Sequence, residues 1–262
     1  MKHKNVVCAT VFLISGLICF ATAARGDLVA YWAFNENGGT IAKDASENGN
    51  DGALMGAKWV TGKSGSGLEF DGKAAIVEIA DDPTLNFTEK ESMTIAVWVS
   101  IKEKPAGPAW IVGKAGNLPA HYLFGYHNTP QNIRLKLDDG GTDLKLDSVT
   151  DIYDGKWHHL TAVRDRSKKQ ARIYVDGKLD VEAQDNTGDT TNDAVLHIGQ
   201  RGDNGQFFPA GARIDELAIW DEPLTAAEIK RVFDGSLLAS ILVVNPSGRL
   251  ATMWGHLKRL GN

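Results

Sequence analysis

Cysteine is almost absent from this chain, and its absence excludes several kinds of chemistry. The 262 residues contain two cysteines, Cys8 and Cys19, and both lie within the first 23 residues. If that segment is removed, the remaining chain has no disulfide, no thiol nucleophile and no cysteine-based metal site. Its stability must then come from a hydrophobic core, from hydrogen bonds or from a metal ion bound by other residues.

The first 23 residues have the composition of a secretory signal peptide. Residues 2–4 are Lys-His-Lys, residues 6–20 are mostly apolar, and residues 21–23 provide a small-residue cleavage site. The apolar run is shorter than the roughly 20 residues that span a bilayer, so a membrane anchor is the weaker interpretation. Lipidation at Cys19 is a minor alternative, because the preceding residue is not small. We predict a signal peptide over residues 1–23 and a secreted protein, extracellular or periplasmic, without a transmembrane anchor in the mature chain.

Strong charge of one sign is also lacking, as are the common catalytic signatures. The formal net charge is −5, and this mild acidity offers no basic surface for nucleic acid. The sequence has no Gly-x-Ser-x-Gly nucleophile motif and no His-Glu-x-x-His metal motif. His158 and His159 are neighbours on a predicted strand and point to opposite faces, so they cannot chelate one ion together.

Short strand-like runs with turn residues between them dominate the rest of the sequence. Glycine is frequent, at 28 residues, and Gly, Asn, Pro or Asp clusters separate the runs. Such runs without alternating helices are typical of a β-sandwich or jelly roll rather than a parallel α/β fold. The predicted strands cover residues 28–34, 68–70, 75–79, 93–101, 110–112, 122–126, 133–137, 144–149, 157–165, 170–175, 194–198 and 212–220.

The hairpin around Asp176-Gly177 makes the antiparallel prediction specific. A two-residue Asp-Gly loop in a regular hairpin would place Ile173 opposite Asp180, which mixes apolar and charged residues on one face. A three-residue loop places Ile173 opposite Leu179 and avoids this mixture. We therefore predict the three-residue loop, with Gly177 in the left-handed region as a bulge.

One helix and a short tail follow the last predicted strand. Thr225 and Glu228 form a capping-box pattern, Leu224 can pack on Ile229, and Asp234-Gly235 ends the helix. The fold class is therefore all-β: a two-sheet antiparallel β-sandwich with one short C-terminal helix and a small tail.

The tail, residues 236–262, has an unknown role. After an apolar run it places five apolar residues at helical spacing: Leu250, Met253, Trp254, Leu257 and Leu260. Two interpretations stay open, a small appendage packed on the sandwich and a docking or export element.

A series of short motifs runs along the chain in a characteristic order. The motifs are residues 28–34 (LVAYWAF), 44–52 (DASENGNDG), 67–72 (GLEFDG), 157–160 (WHHL), 174–177 (YVDG), 214–217 (IDEL) and 224–225 (LT). Together they resemble bacterial laminin-G-like (concanavalin A-like lectin/glucanase) jelly-roll domains. The resemblance implies one domain over residues 27–235, with two opposed sheets and adjacent first and last strands. It does not specify one function, because this fold carries many.

The resemblance also implies a structural calcium ion (Ca2+) near the joined ends of the domain. Asp44, Asn50 and Asp215 lie in the segments that such a site would use, and hard cations prefer oxygen ligands. The alternative is that Asp44 and Asn50 only cap the loop of residues 46–52 through hydrogen bonds to its backbone. We predict a structural calcium ion with these three residues as ligands.

Acidic residues do not reproduce the catalytic pattern of hydrolases with this fold. Laminarinase-like enzymes of the resembling group carry Glu-x-Asp-x-x-Glu on one strand, which flanks the sugar bond with carboxylates. Here Arg213 and Ala218 occupy the two glutamate positions around Asp215. Glu216 is adjacent to Asp215 and is expected to point to the opposite face. We predict that the protein is not an enzyme, with a polysaccharide-degrading enzyme as the alternative.

Sugar binding requires aromatic surfaces beside amide and acid groups. Trp32 and Trp98 lie inside strong strands and are predicted to be core residues. The candidate ligand-binding residues lie in or near Gly-, Pro- or Asn-rich loops; they are Trp110, Tyr122, Tyr126, Phe207 and Phe208. We predict a secreted, lectin-like, non-catalytic module that recognises an extracellular glycan or a cell-surface protein. A structural or assembly protein that docks through its C-terminal tail is the further alternative.

Overall fold

Antiparallel β-strands form almost all of the regular structure of this protein. The computed structural model describes residues 27–116, 119–128, 132–202 and 205–235, so the predicted signal peptide and C-terminal tail lie outside the described residues. The described elements are β1 (Leu28–Trp32), β2 (Ile41–Ala42), β3 (Gly52–Met55), β4 (Lys58–Thr61), β5 (Ser66–Glu69), β6 (Ile76–Ile79), a 3-10 helix (Pro83–Leu85), β7 (Met93–Ser100), β8 (Ala109–Lys114), β9 (His121–His127), β10 (Asn132–Asp138), β11 (Asp143–Asp147), β12 (Trp157–Asp165), β13 (Gln170–Val175), β14 (Lys178–Gln184), β15 (Leu196–Ile198), β16 (Arg213–Trp220) and α1 (Ala226–Phe233).

The strands form two eight-stranded antiparallel sheets. Sheet 1 has the order β14-β13-β12-β7-β16-β5-β4, and β1 also pairs with β16. Sheet 2 has the order β11-β10-β9-β8-β15-β6-β3-β2. The first and last strands are neighbours, with Tyr31 opposite Ala218. The predicted all-β sandwich, including this adjacency, is confirmed.

Period-two alternation places the inward side chains of both sheets in one hydrophobic core. In β9, Tyr122, Phe124 and Tyr126 are buried between the sheets, while Leu123 belongs to a separate small cluster on the outer side. Trp32 is also buried in the core, as predicted, and its indole N–H donates to the carbonyl of Asn50 at 2.8 Å. Each large apolar side chain buried in this way contributes roughly 1.5–3 kcal/mol to stability.

Helix α1 covers the outer face of sheet 1. The Thr225 side chain accepts from the backbone N–H of Glu228, and the Glu228 side chain accepts from that of Thr225, so the predicted capping box is confirmed. Ile229 and Val232 are buried in one apolar cluster with Trp220 of β16. The helix is therefore held by both its cap and its apolar side.

The β13–β14 hairpin differs from the predicted register. Val175 pairs with Lys178, so the loop has two residues, Asp176 and Gly177, with φ angles of +50° and +72°. The prediction of Gly177 in the left-handed region is confirmed, and the prediction of a three-residue loop is wrong.

A bulge at Asp180 prevents the pairing of Ile173 with Asp180 that a regular two-residue hairpin would impose. Beyond the bulge Ile173 pairs with Val181, so apolar residues still share the inner side. The Asp180 carboxylate accepts from the N–H of Val149 at 2.7 Å and from the hydroxyl of Thr150 at 2.5 Å. The prediction assumed a regular strand, whereas this contact with a distant loop favours the bulge.

Three strands, β2, β3 and β4, were not predicted from the sequence. They have two to four residues each, and β3 and β4 are separated only by Gly56 and Ala57. By contrast, β12 and β13 have the predicted bounds. Within the described ranges, no helix has the length and apolar character needed to cross a bilayer.

Candidate ligand-binding face

The two outer faces of the sandwich are covered differently. On sheet 1, α1 lies across the strands, and the ring of Phe233 stacks on Trp98 with centroids 5.4 Å apart. Trp98 is therefore buried under the helix rather than between the sheets. On sheet 2, the N–H of Gly199 donates to the carbonyl of Ile111 on β8, the N–H of Phe208 donates to that of Gly199, and the outward positions of β10 and β11 are mostly charged. We call the outward side of β8 to β11 the sheet 2 outer face and treat it as the candidate site.

One row of residues runs across four strands of the sheet 2 outer face. The register places Asp147 opposite Arg134, Arg134 opposite Gly125, and Gly125 opposite Trp110. The Arg134 guanidinium donates to both carboxylate oxygens of Asp147, with Nε–Oδ1 at 2.7 Å and Nη2–Oδ2 at 2.9 Å. Such a bidentate pair holds its donors and acceptors in a fixed plane.

Gly125 allows the backbone of β8 to approach β9 closely. A Cβ atom at this position would lie 2.6 Å from the Cα of Trp110 and 2.7 Å from the carbonyl oxygen of Ala109. The pairing is bulged here between Trp110 and Val112, so that Ile111 and Val112 both reach the core. The bulge depends on a residue without a side chain opposite it, and this explains the glycine.

The loop segment of residues 205–208 is attached to this face through Trp110. Its indole N–H donates to Oε1 of Gln206 at 2.7 Å, which leaves the tryptophan 2% exposed. Gln206 and Phe207 are half-buried on the loop itself. Two of the predicted ligand-binding residues, Trp110 and Phe207, therefore meet at this loop: Trp110 anchors it, and Phe207 offers the more accessible ring.

Two lysines continue the charged surface beside the row. Lys136 on β10 and Lys145 on β11 are directly opposite each other. Lys136 Nζ lies 3.3 Å from Oδ2 of Asp138, and Lys145 forms an ion pair with Asp143. Each cation on these strands thus has an acidic partner two residues away or across the strand pair.

His121, at the start of β9, adds a neutral ring to this face. Its Nδ1 lies 2.6 Å from the carbonyl oxygen of Pro119 and must be the protonated nitrogen, because a carbonyl only accepts. Burial lowers the pKa of His121 to about 4, and the nearby charge of Lys136 acts in the same direction. The imidazole is therefore uncharged at neutral pH.

The other three predicted ligand-binding residues lie in the core. Tyr122, Tyr126 and Phe208 are buried, Tyr126 packing edge-on against Tyr153 and Phe208 against Phe70. Alternation along β9 turns both of its tyrosines inward, although the neighbouring sequence resembles a loop. These three residues are not available to a surface ligand, which corrects their assignment.

Asp44 and Asn50, two of the three predicted calcium ligands, lie together in one loop. Oδ1 of Asp44 accepts from the N–H groups of Tyr31 and Ser46 at 2.9 and 2.8 Å. Its Oδ2 accepts from the Ser46 hydroxyl at 2.7 Å and from the N–H of Asn50 at 2.8 Å. Four donors thus surround this carboxylate, which is the arrangement of a loop cap.

Asp215, the third predicted ligand, is held by a different loop. It is fully buried, and its Oδ2 accepts from the N–H of Ser64 in the β4–β5 loop at 2.9 Å. Over the described parts of the chain, no group of three or more His, Cys, Asp or Glu side chains could hold a metal ion. Asp215 is thus held by a different loop from Asp44 and Asn50, and the calcium ion with these three ligands stays a prediction.

Asp215 and Glu216 lie on the same side of sheet 1, contrary to the expectation from alternation. Glu216 has a φ of +52°, and β16 is bulged between Asp215 and Ala218 against β7. Glu216 therefore reaches the hydroxyl of Tyr31, which donates to it. Burial raises the pKa of Asp215 to about 8 and that of Glu216 to about 7, and the charge of Glu216 adds to the shift of Asp215.

Arg134, Lys136 and Lys145 were not predicted as functional residues. The side chain of Arg134 is 8% exposed, whereas those of Asp147, Lys136 and Lys145 are 22%, 18% and 48% exposed, so the accessible part of the row lies around Asp147 and the lysines. The signal for the three basic residues was present, because each alternates with the buried leucines of β10 and β11. The alternation of polar and apolar residues does not specify the register in which β10 and β11 pair.

Comparisons with known proteins agree with this architecture. A profile described as the concanavalin A-like lectin/glucanases superfamily matches residues 71–230, more than half of the chain. No curated protein matches the sequence.

Solved structures with the same fold share little sequence with this chain. The binding domain of Paraclostridial Mosquitocidal Protein 1 has a TM-score of 0.66 and 16% identity, covering 80% of this chain and 52% of that one. Domain 4 of AbnA, a GH43 extracellular arabinanase from Geobacillus stearothermophilus solved with arabinotriose, has a TM-score of 0.63 and 18% identity, covering 79% and 98%. The botulinum neurotoxin serotype G binding domain has a TM-score of 0.63 and 14% identity, covering 79% and 50%.

The chain spans about half the length of the two toxin domains and nearly all of the arabinanase domain. Because the solved structures are only 14–18% identical to this chain, their similarity shows the fold alone. The match to the superfamily profile, by contrast, is a similarity of sequence. With its two-sheet architecture, its adjacent terminal strands and this match, the chain belongs to the concanavalin A-like lectin/glucanases superfamily.

Proposed function

We propose that this chain is a secreted, non-catalytic binding module that recognises an extracellular carbohydrate or a cell-surface partner through the sheet 2 outer face. One observation carries the proposal: the Arg134–Asp147 pair and the loop of Gln206 and Phe207 lie on the face that α1 leaves uncovered. Sugars present hydroxyl groups and apolar C–H surfaces, and fixed polar pairs beside an aromatic ring match both.

The solved relatives support a binding role. The arabinanase domain was solved with arabinotriose, and both toxin structures are named as binding domains. Because their identity to this chain is low, they support the use of this fold for binding and do not transfer particular residues.

The catalytic alternative finds no support on β16. Asp215 is fully buried and cannot contact a substrate, and Arg213 and Ala218 replace the acids of the related hydrolases. Export of the module rests on the predicted signal peptide at residues 1–23, and detection of a cleaved chain in the exported fraction would support it.

Blocking the sheet 2 outer face is expected to weaken ligand binding strongly. Both cysteines can be replaced, as Cys8→Ser and Cys19→Ser, and a single cysteine introduced as Lys145→Cys can carry a bulky maleimide. Lys145 is 48% exposed on β11, the edge strand of sheet 2. On a glycan array we expect the labelled protein to lose at least about tenfold in affinity, because the label covers the polar row.

The matched control is Lys58→Cys, labelled in the same way. Lys58 is exposed on β4, the edge strand of sheet 1, so its label leaves the proposed face open. Equal loss in both labelled variants, or binding that survives the label at position 145, would contradict the proposal. If only non-glycan surface partners bind, the same pair of variants locates their site.

The calcium prediction has a separate test. A calcium ion at the Asp44 loop would have to replace at least one of the four donors on its carboxylate. If it binds, titration into chelator-treated protein gives heat, and the melting temperature rises with calcium concentration by mass action. Asp44→Asn should then remove both signals, while Asp193→Asn, at an exposed position, should keep them. No heat and no shift in the parent protein would end the prediction.

A further inference from the structure

The charges on the sheet 2 outer face are paired in a way that bears on the ligand. Arg134 donates two hydrogen bonds to Asp147 at 2.7 and 2.9 Å. Lys136 and Asp138 are 3.3 Å apart, and Lys145 is paired with Asp143. Three aspartates therefore balance the three cations of these strands, and His121 is neutral beside them.

The strand register shows that this pairing is systematic. Lys136 stands directly opposite Lys145, and Asp138 directly opposite Asp143. Like charges that face each other repel unless each has a partner nearby. Here each lysine forms an ion pair with the aspartate two residues away on its own strand. The alternating sequence of each strand therefore neutralises the charge of its own lysine.

A ligand that carries negative charge would compete with these aspartates. To bind Arg134, it would have to separate the guanidinium from Asp147 and leave a partly buried carboxylate without its cation. A hydroxyl group faces no such competition, because it both donates and accepts and can bridge the two members of an intact pair.

Resting on the proposed function, we infer that the ligand of the sheet 2 outer face is an uncharged, hydroxyl-rich glycan rather than a sulfated or uronic-acid glycan. Its hydroxyls contact the accessible side of the Arg134–Asp147 and Lys136–Asp138 pairs, where Asp147, Lys136 and Asp138 are 22%, 18% and 19% exposed and Arg134 is 8% exposed. The half-buried ring of Phe207 lies on the adjacent loop, where it can contact the apolar side of a sugar.

The test compares neutral oligosaccharides with O-sulfated counterparts of the same backbone, using the full chain at sodium chloride concentrations from about 50 to 500 mM. Interactions with exposed opposite charges weaken with salt, whereas binding of a neutral ligand does not. We expect the neutral series to bind with an affinity that stays within about twofold over this range, and the sulfated series to bind more weakly.

Removing one aspartate provides the sharper comparison. Asp143→Asn leaves Lys145 without its carboxylate partner, so binding of the sulfated series should increase and become dependent on salt. Asp193→Asn makes the same chemical change at an exposed position outside β10 and β11 and should bind like the parent. Together these variants test whether the pairing of charges sets the preference for an uncharged ligand.

Three outcomes separate the two proposals. Neutral binding that is insensitive to salt, together with gained sulfate binding in Asp143→Asn, supports the inference. Tighter, strongly salt-dependent binding of the sulfated series by the parent protein overturns the inference and leaves the binding module in place. Failure of both series to bind removes the glycan proposal together with this inference.

Discussion

Replacement of Arg164 with methionine is expected to lower the free energy of unfolding by about 3–5 kcal/mol. Arg164 stands near the end of β12, and both it and Asp185 are fully buried, with Nε–Oδ2 at 3.3 Å. Its Nη1 donates to the carbonyl of Thr88 at 3.2 Å, and its Nη2 donates to that of Gly188. One guanidinium thus joins the loop before β7 to the loop after β14.

The loss is large because the partners of the arginine stay buried. Methionine fills much of the same volume, but it leaves four backbone carbonyls without this donor, and it removes the fully buried cation beside Asp185. Asp185 keeps its hydrogen bonds from Arg166, at 3.0 Å, and from the N–H of Thr187, at 2.9 Å. Its carboxylate therefore loses part of its stabilisation but still has partners. Urea denaturation monitored by tryptophan fluorescence measures the change.

Arg213→Met is the matched control for this variant. Arg213 forms an ion pair with Glu69, but its side chain is 43% exposed, so we expect a loss below about 1 kcal/mol. A double variant, Arg164→Met with Asp185→Leu, should recover part of the stability by removing the buried charge. Equal losses for Arg164→Met and Arg213→Met would show that the buried network is not a major source of stability.

Raising the pH from 7 to 9 is expected to destabilise the protein through Asp215 and Glu216. Burial raises the pKa of Asp215 to about 8 and that of Glu216 to about 7 in the folded state, whereas both lie near 4 in an unfolded chain. Between these values the folded state binds protons that the unfolded state has released. The stabilising contribution of these two carboxyl groups is therefore fully present below about pH 4 and is lost as the pH rises through 7 and 8.

The range from pH 7 to 9 isolates this effect from the buried histidines. Burial lowers the pKa of His121 and of His159 to about 4, so both contribute a loss of stability only as the pH falls below about 6.5. Above pH 7 the carboxyl groups dominate, and one pKa unit corresponds to about 1.4 kcal/mol. We expect a decrease of about 1–2 kcal/mol between pH 7 and 9.

Asp215→Asn should flatten this decrease, because an amide does not titrate. Asparagine can still accept from the N–H of Ser64, which holds the β4–β5 loop over β16. Asp193→Asn, at an exposed position, should keep the pH dependence of the parent protein. Denaturation curves at several pH values measure both, and an unchanged slope in Asp215→Asn would contradict the assignment to this residue.

Both expected effects involve charged groups whose burial the local sequence pattern did not predict. Arg164 was not among the candidate residues, and Asp215 was predicted only as a calcium ligand. Their burial depends on loops that are distant in the sequence, around Thr88, Gly188 and Ser64. A pattern with a period of two residues reports which side a residue faces, but not what lies above it.

The sequence by itself determined most of the strands, the sandwich class, the capped helix and most inward-facing residues, because alternation and capping act over a few residues. It also carried the family likeness. Only the tertiary structure decided the bulges at Asp180 and Glu216 and the row from Asp147 to Trp110. These features arise from hydrogen bonds and close contacts between residues far apart in the chain, which a local pattern does not specify.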